Sequence, residues 1–440
     1  MKKLLLIQPS PYDGNKMPIK KKRLYFVGLS LPLLAAMTPS DWEVELRFEI
    51  IEDIPYDTDA DLIGISTMGH GVIRSIDIAN EFRKRGKTVV LGGYMASIMP
   101  QEAMKHCDSL VEGDAELVWE DLIQDFEVGQ LKPHYKKTLE KGWFSTPKPR
   151  FDLVTNKKIG DFLPVQAGRG CPNTCSFCSV ACLYKGSYVK KPLNEVKRDL
   201  EQIKSLGFNK VLLLDDNIFS DREYLGELLQ VLQKLDLKWM SQCDIRIGRE
   251  VDLLEALAIS GCTTLSFGLE SISKESLVAM NKGWANPEEY TKLIDNIKSY
   301  GIDVSTEMVV GGEGDTLQSI KETRDFIEKN KISVPRFYIL TPFPGTKFFE
   351  EIQEAGRLEN KDIYSYDGTS AVYTPANMTS SELTEAYWNL YESLFTLGSI
   401  FRRNIIKKEF LRHPFTYLFY GGVNLYYRHQ IKQRITPNIF

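Results

Sequence analysis

Three cysteines carry the strongest chemical signal in this chain. Cys171, Cys175 and Cys178 lie in Gly168-Arg169-Gly170-Cys171-Pro172-Asn173-Thr174-Cys175-Ser176-Phe177-Cys178, a C-x3-C-x2-C pattern that follows a strand-like run. Thiolates are soft ligands, and a tight loop can turn three of them onto a small inorganic cluster. Three ligands offered to a four-iron cluster leave one iron free to coordinate something else. Gly168 and Gly170 let backbone come close to such a cluster. Phe177, two residues after Cys175, suits a loop that must also cover an adenine.

Two other chemistries compete for this spacing. A structural zinc site wants a fourth ligand, which Cys182 could supply, but C-x3-C-x2-C-x3-C is not a usual zinc arrangement. A disulfide cluster belongs in an oxidising compartment. The chain holds seven cysteines, an odd number, and its Met-Lys-Lys start has no long apolar segment behind it. A reducing, cytoplasmic setting is therefore expected. Cys107, Cys243 and Cys262 stand singly and read as packing residues. Cys182 reads as a spare thiol.

Other candidates fall where strands should end. Asp215 and Asp216 can accept hydrogen bonds from an ammonium or a ribose, or simply cap a helix. Glu270 lies on an apolar strand, where a carboxylate needs a partner. Gly311 and Gly312 let backbone approach a ligand, or merely turn the chain. Arg169 lies near the cysteines or is exposed. His70, in a strand-end loop, reads as a surface residue.

The elements that must position these residues fall into two series. The first has strands at Lys3–Gln8, Val44–Ile51, Asp61–Ser66, Thr88–Leu91 and Ser109–Val111. Helices are expected at Leu29–Met37, Ile73–Arg85 and Ala115–Phe126, the second with Ile73, Ile76, Ala79 and Phe82 on one face. This alternation implies a doubly wound parallel sheet with ligands beyond the carboxyl ends of its strands. A proline- and lysine-marked linker follows. The second series has strands at Pro164–Gly168, Lys210–Leu214, Lys238–Gln242, Thr263–Gly268, Asp303–Val310 and Pro335–Leu340. Helices intervene at about Asn194–Leu206, Arg222–Leu235, Val251–Ser260, Pro287–Tyr300 and Leu317–Asn330. Six such repeats are too few for a complete eight-fold barrel and point to a partial (β/α)6 barrel. The expected domains are 1–130, a linker at 131–162, the barrel at 163–345 and a helical region at 346–440.

Charge and hydropathy narrow the partners. The 440 residues carry 55 Lys plus Arg against 59 Asp plus Glu, a net charge of −4, which argues against nucleic-acid binding by the whole protein. No apolar run reaches the ~18 residues of a spanning helix. From Ser399 to Phe440 there are eight basic residues and one acidic, Glu409. Such a basic, aromatic tail suits a cap on the barrel or contact with an anionic membrane surface or substrate.

The cysteine triplet resembles the signature of the radical S-adenosylmethionine (radical SAM) enzymes, with Phe177 at its usual aromatic position. The resemblance extends to Leu212-Leu213-Leu214-Asp215-Asp216-Asn217, similar to the family's segment near the methionine moiety. It includes Ser266-Phe267-Gly268-Leu269-Glu270-Ser271 with Met280-Asn281-Lys282-Gly283, similar to the fourth-strand region. Val309-Val310-Gly311-Gly312-Glu313-Gly314 resembles the fifth-strand motif near adenine. Leu340-Thr341-Pro342-Phe343-Pro344-Gly345-Thr346 resembles the sixth-strand end of one branch, which carries a cobalamin-binding-type domain ahead of the barrel. Asp61–Ser66, Leu91-Gly92-Gly93 and Asp108–Glu116 resemble that domain. The likeness covers about residues 1–380.

The resemblance implies a [4Fe-4S] cluster on Cys171, Cys175 and Cys178, whose free iron chelates SAM. It implies reductive cleavage of SAM to methionine and a 5′-deoxyadenosyl radical. SAM contacts would fall to Asp215, Asp216, Glu270, Gly311, Gly312 and Phe177. An electron donor such as flavodoxin or ferredoxin and a small-molecule substrate, conceivably apolar or lipid-like, complete the expectation. The Asp-x-His-x-x-Gly motif of some cobalamin modules is absent, since the region after the first strand reads Gln8-Pro9-Ser10-Pro11-Tyr12-Asp13-Gly14. That excludes a cobalt-ligating His from that motif and leaves cobalamin open. The expected activity is thus radical SAM chemistry, with cobalamin-dependent C-methylation as one form. A cyclisation, rearrangement or C–C bond formation without cobalamin is the alternative, and a non-catalytic metal scaffold the last.

Overall fold

The computed structural model describes residues 1–440 apart from 14, 68–70, 140–141, 144, 361–364, 367, 412–413 and 438–440. It divides into two compact units, Met1–Arg169 with Leu183–Lys210, and Gly170–Cys182 with Val211–Ile439.

The first unit holds β1 (Lys3–Gln8), β2 (Leu24–Phe26), β3 (Glu43–Phe48), β4 (Leu62–Thr67), β5 (Thr88–Gly93), β6 (Ser109–Gly113), β7 (His134–Lys137) and β8 (Ile159–Val165). Six of these form one sheet in the order β3-β1-β4-β5-β6-β7, with every pair parallel. Leu4 to Ile7 are all buried, as are Leu62, Ile63, Val89 and Val90. A strand buried on both faces reads as a continuous apolar run rather than an alternating one. The helix Val72–Lys84 buries Ile76, Ala79 and Phe82, the periodic face expected from sequence. Burying each such side chain contributes about 1.5–3 kcal/mol.

Two short strands, β9 (Gly168–Gly170) and β10 (Tyr188–Lys190), flank the cysteine loop in sequence. The second unit contains β11 (Lys210–Leu213), β12 (Lys238–Cys243), β13 (Cys262–Glu270), β14 (Asp303–Val310) and β15 (Val334–Ile339), in the order β15-β14-β13-β12-β11. Helices Arg222–Leu235, Val251–Ile259, Tyr290–Ser299 and Leu317–Lys329 connect them. Together the strands make a curled half-barrel. Leu265, Phe267, Val304 and Phe337 are buried. Alternate positions Ser266, Glu307, Arg336 and Tyr338 are only half-buried and form a polar row. Glu307 and Arg336 are directly opposite in register and are joined by a guanidinium–carboxylate contact. Ser266 Oγ donates to Glu307 Oε1 at 3.3 Å.

The chain beyond Ser380 is helical, as expected, with helices Ser380–Leu394, Leu397–Asn404 and Pro414–Lys432. It caps the amino end of the half-barrel. Thr264 and Asp303 are paired near the starts of β13 and β14. Tyr420 Oη lies 2.8 Å from Thr264 Oγ1, and Lys407 Nζ lies 3.6 Å from Asp303 Oδ1, both side chains buried. Arg403 is fully buried, and among the described residues it makes no ion pair with a carboxylate. It donates to the carbonyls of Ile332 (2.8 Å), Ser333 (3.2 Å) and Leu394 (2.8 Å) and to Asn424 Oδ1 (3.1 Å). Burial pulls its pKa down to about 10.

Several elements differ from the sequence reading: the strand expected at Pro164–Gly168 is split into Ile159–Val165 and Gly168–Gly170, and Leu24–Phe26 adds a strand. The segment 131–162 contains β7 and the start of β8 rather than irregular chain alone. Gly160 is a strand position: a Cβ there would fall 2.4 Å from the carbonyl oxygen of Tyr25, so glycine permits β2 to lie close. The expected helix Ala115–Phe126 begins as a short 3-10 turn, Ala115–Leu117, before the helix Trp119–Glu127.

Candidate functional site

The cysteine loop of the second unit is pinned through its backbone by three strand-end regions. Gly170 N donates to Asp216 Oδ2 at 2.9 Å, after β11. Ser176 N donates to the Met280 carbonyl at 3.0 Å, and Asn281 Nδ2 to the Thr174 carbonyl at 2.7 Å. Beyond β15, Phe348 N donates to the Ser176 carbonyl at 2.9 Å, and Cys182 Sγ to the Gly345 carbonyl at 2.9 Å. The loop is therefore held in shape by protein alone.

Cys171, Cys175 and Cys178 are unpaired. Cys171 and Cys178 both act electrostatically on Cys175, and Cys171 acts on Cys178, which places them in one neighbourhood. Burial raises all three pKa values, that of Cys175 to about 12, against the opposing pull of the Lys282 ammonium. Without a cation such thiols stay protonated at neutral pH, whereas a coordinating metal deprotonates them. A four-iron cube takes each thiolate on a separate iron. Ser176 Oγ, inside the loop, is buried with no hydrogen-bond partner. The soft donor set and this orphaned hydroxyl fit an iron–sulfur cluster.

Strand ends surround the loop with buried polar groups. Asp215 is buried, and its charge acts on the Tyr224 phenol. Asp216 holds Gly170 as described. Asn217, which sequence reasoning did not single out, accepts from the Asp244 N–H at 3.0 Å and the Phe219 N–H at 3.2 Å. Its amide nitrogen lies 3.9 Å from Cys171 Sγ. Phe177 is half-buried next to Cys178 in the chain.

Glu270 ends β13 with φ of 59°, in the left-handed region, at a shift of register against β14. A non-glycine residue there costs about 1–3 kcal/mol and needs surrounding structure to hold it. That support is Lys282, whose Nζ lies 2.8 Å from Glu270 Oε1 and 2.7 Å from the Gly268 carbonyl. Burial works against the Lys282 charge, but Glu270 and Cys175 outweigh it and hold its pKa above the ordinary value. Lys282 is the second residue that sequence reasoning missed, although its Met-Asn-Lys-Gly segment had been noted.

Gly311 and Gly312 already have partners within the unit. Both backbone N–H groups donate to Asp315 Oδ2 at 2.9 Å, and the Gly311 carbonyl accepts from Tyr373 Oη at 2.6 Å. Gly311 has φ of 100°, and a Cβ there would strike Leu383 and Tyr373. Burial lifts the Asp315 pKa above its ordinary value, although these amides and Ser276 oppose the shift.

The first unit contains a separate cavity of about 200 Å³ whose lining includes Gly64, Ile65, Ser66, Gly92, Gly93 and Trp119. It lies largely at the carboxyl ends of β4 to β6, where a doubly wound sheet takes ligands. Gly93 has φ of 89°, and a Cβ there would fall 2.4 Å from the Thr67 carbonyl oxygen. Arg169 forms part of the wall. It pairs with Asp114 and with Glu116 at 2.7 Å, so it is neither exposed nor free. His70 lies outside the described residues. Met95 is buried and its N–H donates to Thr67 Oγ1 at 3.2 Å.

Comparison with known proteins places this arrangement in a class. The family model described as "Radical SAM superfamily" matches residues 165–327. The chain is 30% identical over 91% of its length to bacteriochlorophyllide d C-12(1)-methyltransferase of Chlorobaculum tepidum, covering 89% of that protein. It is 31% identical to the C-8(2)-methyltransferase of the same organism, covering 82% of each chain. Among solved structures, TsrM of Kitasatospora setae with tryptophan and aza-SAM superposes with a TM-score of 0.64 at 16% identity, covering 82% of this chain and 77% of that one. OxsB with aqua-cobalamin and SAM gives 0.69 at 14%, covering 97% and 72%. The chain belongs to the radical SAM superfamily. Within it, the chain belongs to the branch with a cobalamin-binding-type domain ahead of the barrel. It is an enzyme of [4Fe-4S] and SAM chemistry.

Proposed function

We propose that this chain is a cobalamin-dependent radical SAM methyltransferase acting on an unactivated carbon of a small molecule. Cys171, Cys175 and Cys178 hold its cluster. The observation that carries this reading is the gathering of three thiols, Cys175 buried and Cys171 and Cys178 half-buried, in a loop pinned by three strand ends. When bound, the cluster supplies the electron that breaks a carbon–sulfur bond of SAM, and a corrinoid supplies a methyl carrier.

The chain's own residues prepare that chemistry. The Lys282 ammonium favours the Cys175 thiolate. Asp216 fixes the start of the loop, and Asn217 lies beside Cys171. Glu270 and Asp215, buried at strand ends, are the carboxylates we assign to the amine and ribose of SAM. Phe177 is assigned to cover the adenine. Gly311 and Gly312 shape the backbone beside it through Asp315. The first-unit cavity, with small residues at its strand ends, suits one end of a corrinoid rather than the whole macrocycle. Among the described lining residues there is no histidine, so cobalt would have no imidazole from this wall.

Bacteriochlorophyllide d is the substrate named for the two Chlorobaculum relatives. We therefore take a large, mainly apolar ring system as the first substrate class to test. Its polar substituent would meet the Ser266, Glu307 and Arg336 row. Flavodoxin or ferredoxin is the assigned electron donor. Among the described residues no helix is long and apolar enough to cross a membrane. An odd number of cysteines, seven, supports a reducing cytoplasm.

Anaerobic reconstitution followed by incubation with methyl-labelled SAM tests the proposal. About four irons per chain, co-purifying corrinoid absorbance and label in the product are expected. 5′-Deoxyadenosine formed with an unlabelled, rearranged or cyclised product overturns the methyl-transfer reading.

A further inference from the structure

The helix Pro414–Lys432 is built inside out. Its buried side carries Tyr417, Tyr420, Asn424, Tyr427 and Gln430 together with Val423 and Ile431. Its outward side carries Phe415, Leu418, Phe419, Leu425 and Tyr426, all exposed. Positions 415, 418, 419, 422, 425 and 426 recur at the three- and four-residue spacing of one helical face. A surface helix ordinarily turns such a stripe inward. Phe415 is 85% exposed and Leu411, just before the helix, 86%. From Pro414 to Tyr427 there is no charged residue.

The charges lie at the two ends of this stripe. Arg402 and Lys408 are exposed before it, and Lys432 and Arg434 after it. Over Ser399 to Phe440 the excess is seven positive charges in a protein whose net charge is −4. Arg403 and Lys407 are buried and Arg402 and Arg434 pair with Glu328 and Glu385, so exposed Lys408 and Lys432 carry most of the border. An apolar aromatic face bordered by cations is the pattern of a helix that lies in the plane of a bilayer, its rings among the acyl chains and its cations at the headgroups. The helix does not meet the length and hydropathy of a spanning segment. The charge sign selects the occupant, because anionic headgroups attract such a border and zwitterionic ones do not.

We propose that the outward face of Pro414–Lys432 docks this enzyme on an anionic lipid surface. The inward tyrosines of the same helix cap the half-barrel, so docking and catalytic domain share one rigid element. Such a surface would present apolar substrates directly to the protein, although docking itself needs neither cluster nor SAM.

Co-sedimentation of the full chain with vesicles tests it. Phosphatidylcholine vesicles with a third phosphatidylglycerol should pellet the protein, pure phosphatidylcholine vesicles should not, and raising salt should release it. Phe415→Ser with Leu418→Ser should weaken binding roughly tenfold or more. Lys408→Glu with Lys432→Glu should weaken it by at least roughly fivefold per charge. All four side chains are exposed, so circular dichroism and SAM cleavage should stay unchanged. Failure of the parent protein to pellet with anionic vesicles at low salt overturns the proposal. So does a dimer in sedimentation equilibrium that Phe415→Ser dissociates while vesicle binding is unaffected, since a second copy is then the occupant. Lost SAM cleavage with intact vesicle binding would instead count against the functional reading and leave this one standing.

Discussion

Two parallel sheets in this molecule, one doubly wound and one curled into a half-barrel, have opposite strand ends. In the first unit β5 and β6 end in Gly92, Gly93 and Gly113 and border a cavity whose wall also holds the paired Arg169, Asp114 and Glu116. In the second, β11 to β14 lead into Asp215, Asp216, Asp244, Glu270 and Asp315, all buried or nearly so except the half-buried Asp216. Small residues leave volume for an organic group that brings its own structure. Buried acids instead hold loops in shape and must find protein or ligand partners. Both sheets are parallel and offer the carboxyl ends of their strands to a ligand, while the residues at those ends decide what kind of ligand it is.

The largest expected effect separates the two sheets outright. Cys175→Ala should reduce iron content and SAM cleavage to background while leaving any co-purified corrinoid in place. Loss of both together would break the comparison. Next, Glu270→Gln should strand the buried Lys282 charge and cost the apo protein about 3 kcal/mol in urea unfolding. Pairing it with Lys282→Met should recover most of that stability without restoring SAM binding. If stability stays low, the pair is not what supports β13. Gly93→Val, forced into a left-handed backbone against the Thr67 carbonyl, should destabilise the first unit by about 2 kcal/mol. Corrinoid should be lost with iron retained.

The smallest expected effect is a pH dependence. Burial opposes ionisation of Glu116, but Arg169 outweighs it, and the folded pKa lies below the ordinary 4.5. The unfolded chain then takes up the proton first, so this contribution is full above 4.5 and declines as pH falls through the folded value. Acid unfolding followed by fluorescence should show a shallower limb below pH 4.5 for Glu116→Gln. An unchanged limb would assign acid sensitivity elsewhere.

Much of this was legible because long apolar strands and periodic helices announce themselves. Lys3–Gln8, Asp303–Val310 and Arg222–Leu235 match their expected spans. The cysteine loop was legible from spacing alone. What escaped had no pattern of its own. Leu24–Phe26 is three residues behind a lysine-rich run, and His134–Lys137 is His-Tyr-Lys-Lys. Short edge strands like these owe their conformation to a neighbouring strand rather than to their own sequence. Lys282 and Asn217 were hidden because their roles depend on partners 12 and 46 residues away. The Gly311-Gly312 pair suggested room for a ligand, whereas Asp315, three and four residues on, engages both amides.

The tyrosine cap at the amino ends of β13 and β14 has a kinetic consequence. With Tyr420 and Lys407 seated at that base, product and fresh substrate would share the mouth at the carboxyl ends, and accumulated product should compete with substrate in turnover assays.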